Sequence, residues 1–295
     1  MSRALADALT KLLSQGDQAP ATAFTNMQRS ALDQLARATG FLSALPKGRG
    51  VVYQIGNRNG LEAYLCSLRP EADSHRLADL PRRAANIATH RDSKAGPAAH
   101  TRQYLLLKAV GDDVVWSRGG GRLVDLSSAT RTAGAGALAI ETDDDWRSDT
   151  PLWLVENQAL FDDTRWLAAD TRASVAYYAG QIPHRLVDWL AFRQRVPKVV
   201  LFADYDGVGL QNFVRLRERL ETQCSFWLMP DWKELLCRYG SNQIWEDTHS
   251  NFIAATQCLA HLDPPAELLK LCETMNREGL ALEHEAVWLA QPRMS

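Results

Sequence analysis

The sequence predicts an α/β protein in which a mixed α+β, winged-helix-like N-terminal region precedes a Rossmann-like parallel sheet with flanking helices. Three observations carry this. From about residue 150 onward, short apolar runs alternate with helical stretches, the pattern of parallel strands joined by crossover helices. The clearest strand, KVVLFADYDG (198–207), ends on two carboxylates and a glycine. Charge is also divided along the chain. Residues 1–131 carry 18 Lys+Arg against 11 Asp+Glu, whereas residues 132–295 carry 15 against 24. Basic surface suits a phosphate backbone, and clustered acid suits a metal ion.

The 295 residues, 46% hydrophobic and 23% charged, have the balance of a folded globular chain and predict two domains. No apolar run approaches the roughly 20 residues of a membrane helix. Asp7, Lys11 and Gln15 interrupt the N-terminal apolar pattern, so no signal core is expected and a cytoplasmic, membrane-free protein is. The five cysteines show no zinc-type spacing and are expected to be reduced and mostly buried.

Along the chain, residues 3–15 and 27–43 have helical apolar spacing, and LPKGRG (45–50) ends the second helix. VVYQIG (51–56) reads as a strand, Asn57 to Gly60 as a turn, and LEAYLCSL (61–68) as a strand or helix. Residues 74–90 read as helical and 91–101 as a loop. YLLLKAV (104–110) and DVVWS (113–117) are apolar segments around a Gly111-Asp112 turn, and Gly119–Gly121 is a further turn. That glycine run lacks the Gly-Lys-Ser/Thr ending of a P-loop, so ATP hydrolysis is not expected. The boundaries predicted are an N-terminal region over 1–131, a small, polar, acidic linker over 132–150, and a catalytic domain over 151–295. In that domain LWLVEN (152–157), SVAYYAG (174–180), KVVLFADYDG (198–207) and CSFWLMPD (224–231) read as strands. Helices are expected over about 184–194 and 210–222, followed by a mainly helical remainder.

The chemistry concentrates at the strand ends. Residues i and i+2 of an extended chain point the same way, so Asp204 and Asp206 are expected to face one site. Open α/β sheets hold their ligands at this carboxyl edge. Gly207 and Gly209 would permit a tight turn and close approach of a phosphate to the next helix N-terminus. Glu156 ends an earlier strand and meets the Asp pair if the two strands are neighbours. Three crowded carboxylates repel unless a cation sits among them. Hard oxygen ligands beside phosphate point to Mg²⁺ or Mn²⁺. An exposed strand-tip acid contributes little to a core, so Asp204→Ala is expected to leave the fold intact.

A strand-terminal Glu followed by a later DxD with nearby glycines resembles the Toprim domain of topoisomerases, primases and OLD-type nucleases. More narrowly, VENQALF (155–161), YYAGQIP (177–183), ADYDGVGL (203–210) and LALEHEAV (280–287) are similar, in that order, to segments of the JetD-type nuclease subunit of Wadjet plasmid-defence systems. That family is related to the topoisomerase VI A subunit. The resemblance covers about residues 150–290. It implies a metal-dependent endonuclease that cuts foreign double-stranded DNA delivered by an SMC–kleisin motor complex, working as a homodimer. It places catalysis and metal binding on Glu156, Asp204 and Asp206. It adds Glu283 and Glu285 as a late acidic motif flanking His284. It also makes Arg91, Ser93 and Lys94, within RDSK, candidate DNA-backbone contacts. Topoisomerase relatives use a tyrosine nucleophile. Tyr53, Tyr64 and Tyr104 lie in no recognisable catalytic motif and read as core, which favours hydrolysis by activated water. A topoisomerase- or primase-like Toprim enzyme and a non-catalytic Toprim binding module are the other readings.

Overall fold

The computed structural model describes residues 2–48, 50–69, 77–90, 102–119 and 121–290. The chain forms two compact units, residues 1–101 and 102–295. Among the described residues, no helix is long and apolar enough to cross a membrane.

The first unit contains helices α1 (Ser2–Ser14), α2 (Asn26–Thr39), α3 (Arg58–Leu68) and α4 (Arg82–His90). Its strands β1 (Gln18–Pro20), β2 (Leu42–Lys47) and β3 (Gly50–Ile55) form an antiparallel sheet in the order β1-β3-β2. Helix α2 starts on a capping box. The Thr25 side chain accepts from the Gln28 amide at 3.3 Å, and the Thr25 amide donates to Gln28 Oε1 at 3.0 Å. It stops at Gly40, whose φ of 66° favours glycine. This frees 42–47 to pair with 50–55, so LSALPK is a strand where the sequence suggested only a helix end. The segment 61–68 resolves as helix, capped by Asn57 accepting from the Gly60 amide at 2.8 Å. The core gathers Leu9, Leu12, Leu32, Leu42, Leu61 and Tyr53. The loop over 91–101, including Arg91, Ser93 and Lys94, lies outside the described residues.

The second unit is built on a six-stranded mixed sheet. Its strands are β4 (Gln103–Val110), β7 (Gly136–Ile140), β8 (Leu152–Val155), β9 (Ala173–Tyr177), β10 (Val199–Phe202) and β11 (Cys224–Phe226), in the order β11-β10-β8-β9-β4-β7. Strands β9, β8, β10 and β11 are mutually parallel, and β4 and β7 extend the sheet antiparallel. VVLF of β10 is buried at every residue, as a central strand covered on both faces requires. Strands β5 (Val115–Arg118) and β6 (Arg122–Asp125) pair as an antiparallel hairpin. Asp125 then caps α5 (Leu126–Ala133).

Chain order and sheet order reverse between β8 and β10. From β8 the chain passes through α6 (Gln158–Asp162) to β9 on one side, then returns through α7 (His184–Phe192) to β10 on the other. This is a topological switch point, where strand ends diverge and leave a crevice. Helix α8 (Gly207–Leu220) follows β10 and contacts α7 and α10 (Asn242–Leu259). Helices α9 (Trp232–Tyr239) and α11 (Ala266–Glu278) complete the unit before a 3₁₀ helix, His284–Leu289.

The expected linker over 132–150 is a correction. GALAI forms β7, paired with β4, and the following acidic stretch is clasped into the core. The compact units therefore part at 101/102 rather than after 131, because β4 and β7 complete the same sheet as β8, β9, β10 and β11. Tyr104 is a second correction. Strand alternation turns it outward, 72% exposed, while its neighbours Leu105 and Leu107 enter the core. The cysteines divide: Cys224 and Cys272 are buried, but Cys66, Cys237 and Cys258 are exposed.

Candidate functional site

The carboxyl ends of β8 and β10 carry the site. Val155 pairs with Phe202 in parallel register, so Glu156 and Asp204 leave adjacent strands within a residue of one another. The charges of Asp204 and Asp206 both act on Glu156. Burial first, then Asp204 and Asp206, push the Glu156 carboxyl from its ordinary 4.5 up to about 7. The buried Tyr178 hydroxyl donates to Glu156 Oε2 at 3.5 Å.

Asp206 has two duties. It is 7% exposed and accepts from the Gly209 amide at 2.7 Å, capping α8. Burial, opposed by that bond, still raises its pKa. The glycines are packed closely. A Cβ on Gly207 would lie 2.1 Å from the Thr248 carbonyl oxygen, and one on Gly209 would lie 2.1 Å from the Asp204 carbonyl oxygen. The protein's own backbone fills that room, so helix packing and the Asp204 loop themselves require glycine here. Gly207→Ala is expected to force α8 from α10 and to cost about 1–3 kcal/mol, the usual range for overpacking. Urea unfolding measures it, and an unchanged midpoint would contradict the packing role.

The late motif arrives through two short backbone bridges. Tyr205 and Leu282 exchange hydrogen bonds of 2.8 and 3.0 Å, and Ser241 and Ala281 exchange bonds of 2.8 and 3.1 Å. The chain then tightens into the 3₁₀ helix, where successive side chains point about 120° apart. Glu283 is exposed and stands outside the group formed by Asp204, His284 and Glu285. His284 turns inward, 1% exposed. Its amide donates to Asp204 Oδ1 at 2.8 Å, and its Nδ1 also bonds that oxygen. Glu285 is half-buried, with Oε2 3.7 Å from His284 Nδ1 and Oε1 accepting from Asn157 Nδ2. Asp204, His284 and Glu285 present ligand atoms within 4.8 Å of one another.

Sequence reasoning left His284 without a role. The only signal was its place between two acids in LALEHEAV. Burial would lower the His284 pKa, but the Asp204 hydrogen bond and charge outweigh it, with Glu285 adding, so the net shift is upward. Among the described residues, no lysine or arginine is ion-paired with Glu156, Asp204, Asp206 or Glu285; His284 is the partner of Asp204 and Glu285. A group of carboxylates without a lysine or arginine partner among the described residues, in which burial raises Glu156 and Asp206, fits a hard divalent ion.

Of the tyrosines, Tyr53 is in the core as expected, with its hydroxyl bonded to Asp33 Oδ1 at 2.8 Å. Asp163 is held to about 2 by hydrogen bonds from Arg165, a surface pair apart from the site. Compared with known proteins, the chain matches no family model and no curated protein.

The Glu156 shift has a pH consequence. A carboxyl raised on folding contributes fully to stability below its unfolded value, near 4.5, and loses that contribution as pH rises through about 7. The ceiling is roughly 3 kcal/mol, which partial solvent exposure screens to about 1–2. In chelator, Glu156→Gln is expected to stabilise the protein relative to wild type at pH 8 and not at pH 4.5. An equal difference at both pH values would contradict the assignment.

Proposed function

We propose that the chain is a divalent-metal-dependent DNA endonuclease hydrolysing phosphodiesters, with residues 102–295 acting as a Toprim domain. The observation that carries this is the placement of Glu156, Asp204 and Asp206 at the switch point among the parallel strands of a mixed sheet, with Glu285 beside Asp204. These acids would hold Mg²⁺ or Mn²⁺, which supplies Lewis-acid stabilisation of the scissile phosphate and an activated water. The protein's part is positional. Asp206 ties the acids to the start of α8, Tyr178 and Asn157 orient Glu156 and Glu285, and the strand ends fix the spacing. Hydrolysis is preferred over a tyrosyl intermediate because Tyr53, Tyr64 and Tyr104 lie in no recognisable catalytic motif, and the Tyr53 hydroxyl is bonded within the core.

The first unit's antiparallel three-stranded sheet with helices supports a winged-helix-like module, and its basic balance supports contact with phosphates. By the family resemblance, the substrate is foreign plasmid DNA presented by an SMC–kleisin motor, and two sites in a homodimer cut both strands. The test is incubation of the full chain with supercoiled plasmid and Mg²⁺ or Mn²⁺, with and without such a motor complex. Nicked or linear product that disappears with chelator is expected. Retained DNA binding without cleavage under all these conditions would favour a binding module.

A further inference from the structure

We propose that His284 is a positioning residue that presents Asp204 to the metal, an inference resting on the metal-site reading above. Two donors from this one residue, its backbone amide and Nδ1, converge on Oδ1 of Asp204. The hydrogen bonds of Asp204 among the described residues fall on Oδ1, which leaves Oδ2 for a cation. A carboxylate held this way cannot rotate freely, and hydrogen bonds to ligating carboxylates set ligand orientation.

The imidazole is itself locked. It is 1% exposed, and the Phe202 ring meets it nearly edge-on, with centroids 5.2 Å apart at 73°. Phe202 ends the strand whose next residues lead to Asp204, so ring and carboxylate are registered by the same backbone. The other nitrogen, Nε2, is buried with no hydrogen-bond partner. A buried polar atom without a partner costs about 1–3 kcal/mol. An apolar residue would fill this place without that cost. The imidazole is therefore explained by what Nδ1 does for Asp204, not by packing.

Asparagine can place its Nδ2 near the position of Nδ1, whereas glutamine carries its amide one bond further. The experiment titrates Mn²⁺ alone into the full chain by calorimetry, for wild type, His284→Ala, His284→Asn, His284→Gln and Asp204→Asn. Tryptophan fluorescence checks each fold. His284→Ala is expected to weaken Mn²⁺ binding about 10–100-fold, the range for lost outer-shell partners. His284→Asn is expected to restore binding to within about 3-fold of wild type, and His284→Gln is not. If His284→Ala fails to fold, the Asn–Gln contrast still decides. Mn²⁺ binding by His284→Ala equal to wild type, with binding lost in Asp204→Asn, would overturn the positioning role and leave the metal site standing. His284→Asn as weak as His284→Ala, with both folded, would overturn it in favour of the imidazole ligating the ion directly. Mn²⁺ binding unaffected by Asp204→Asn would overturn the metal-site reading together with this inference.

Discussion

Asp204→Asn is expected to lower metal-dependent plasmid cleavage by about 10³-fold, equivalent to roughly 4 kcal/mol of transition-state stabilisation. Asp204 is the acid shared by the two groups of the site: it couples to Glu156 and Asp206, and it bonds His284. Neutralising it removes a ligand charge where the phosphate must be met. Asparagine keeps an oxygen to accept from the His284 amide and Nδ1, so folding should be retained. Asp204→Ala is a poorer probe. Its carboxylate is 25% exposed and bonded, not the free strand-tip group that the sequence suggested. Alanine would leave two buried donors without an acceptor, at about 1–3 kcal/mol each. The measurement is the rate of plasmid nicking in Mg²⁺ and in Mn²⁺, alongside circular dichroism. Folded Asp204→Asn protein that cuts like wild type would remove the catalytic assignment.

The strand ends were legible because a buried parallel strand declares itself as a continuous apolar run, and residues just past its end must sit at the sheet edge. VVLF and LWLV therefore located Glu156, Asp204 and Asp206 without knowledge of strand order. What the sequence concealed depends on contacts far apart in the chain. His284 is brought to Asp204 by the Tyr205–Leu282 and Ser241–Ala281 bridges, which involve backbone atoms and leave no side-chain signature. The 3₁₀ geometry then separates Glu283 from Glu285, whereas their i, i+2 spacing alone allowed a shared face. Gly207 and Gly209 carried an ambiguous signal. Glycine serves a close approach in either case, and only the structure shows that backbone occupies the space. GALAI hid as a strand because its residues are small, and small residues at a sheet's end read as linker.

TDDDW (142–146) was the least legible segment, and it gives the largest expected effect on stability. Three consecutive aspartates look like a solvated turn, yet the middle one is buried. Asp144 and Arg195 have side chains 1% and 0% exposed, paired at 2.8 Å. Arg195 also donates to the carbonyls of Thr142, Asp144, Trp146 and Trp189, at 2.6 to 3.2 Å, and lies 4.2 Å from the Trp189 ring centroid. Asp144 accepts in turn from the Trp189 indole and the Glu141 amide, each at 2.8 Å. Burial lowers the Arg195 pKa to about 10, so the guanidinium stays charged at neutral pH. Asp144→Ala strands that charge in the core and is expected to cost about 3–5 kcal/mol. For a unit of this size that is a fall in Tm of roughly 10 °C. All nine tryptophans of the chain lie beyond residue 101, so their fluorescence reports this unit alone. Asp144→Ala combined with Arg195→Met removes both charges and should recover much of the loss, because the penalty belongs to the unpaired ion. A double variant less stable than Asp144→Ala alone would show that Arg195 acts mainly through its four carbonyl bonds, and that the ion pair is incidental to the clasp.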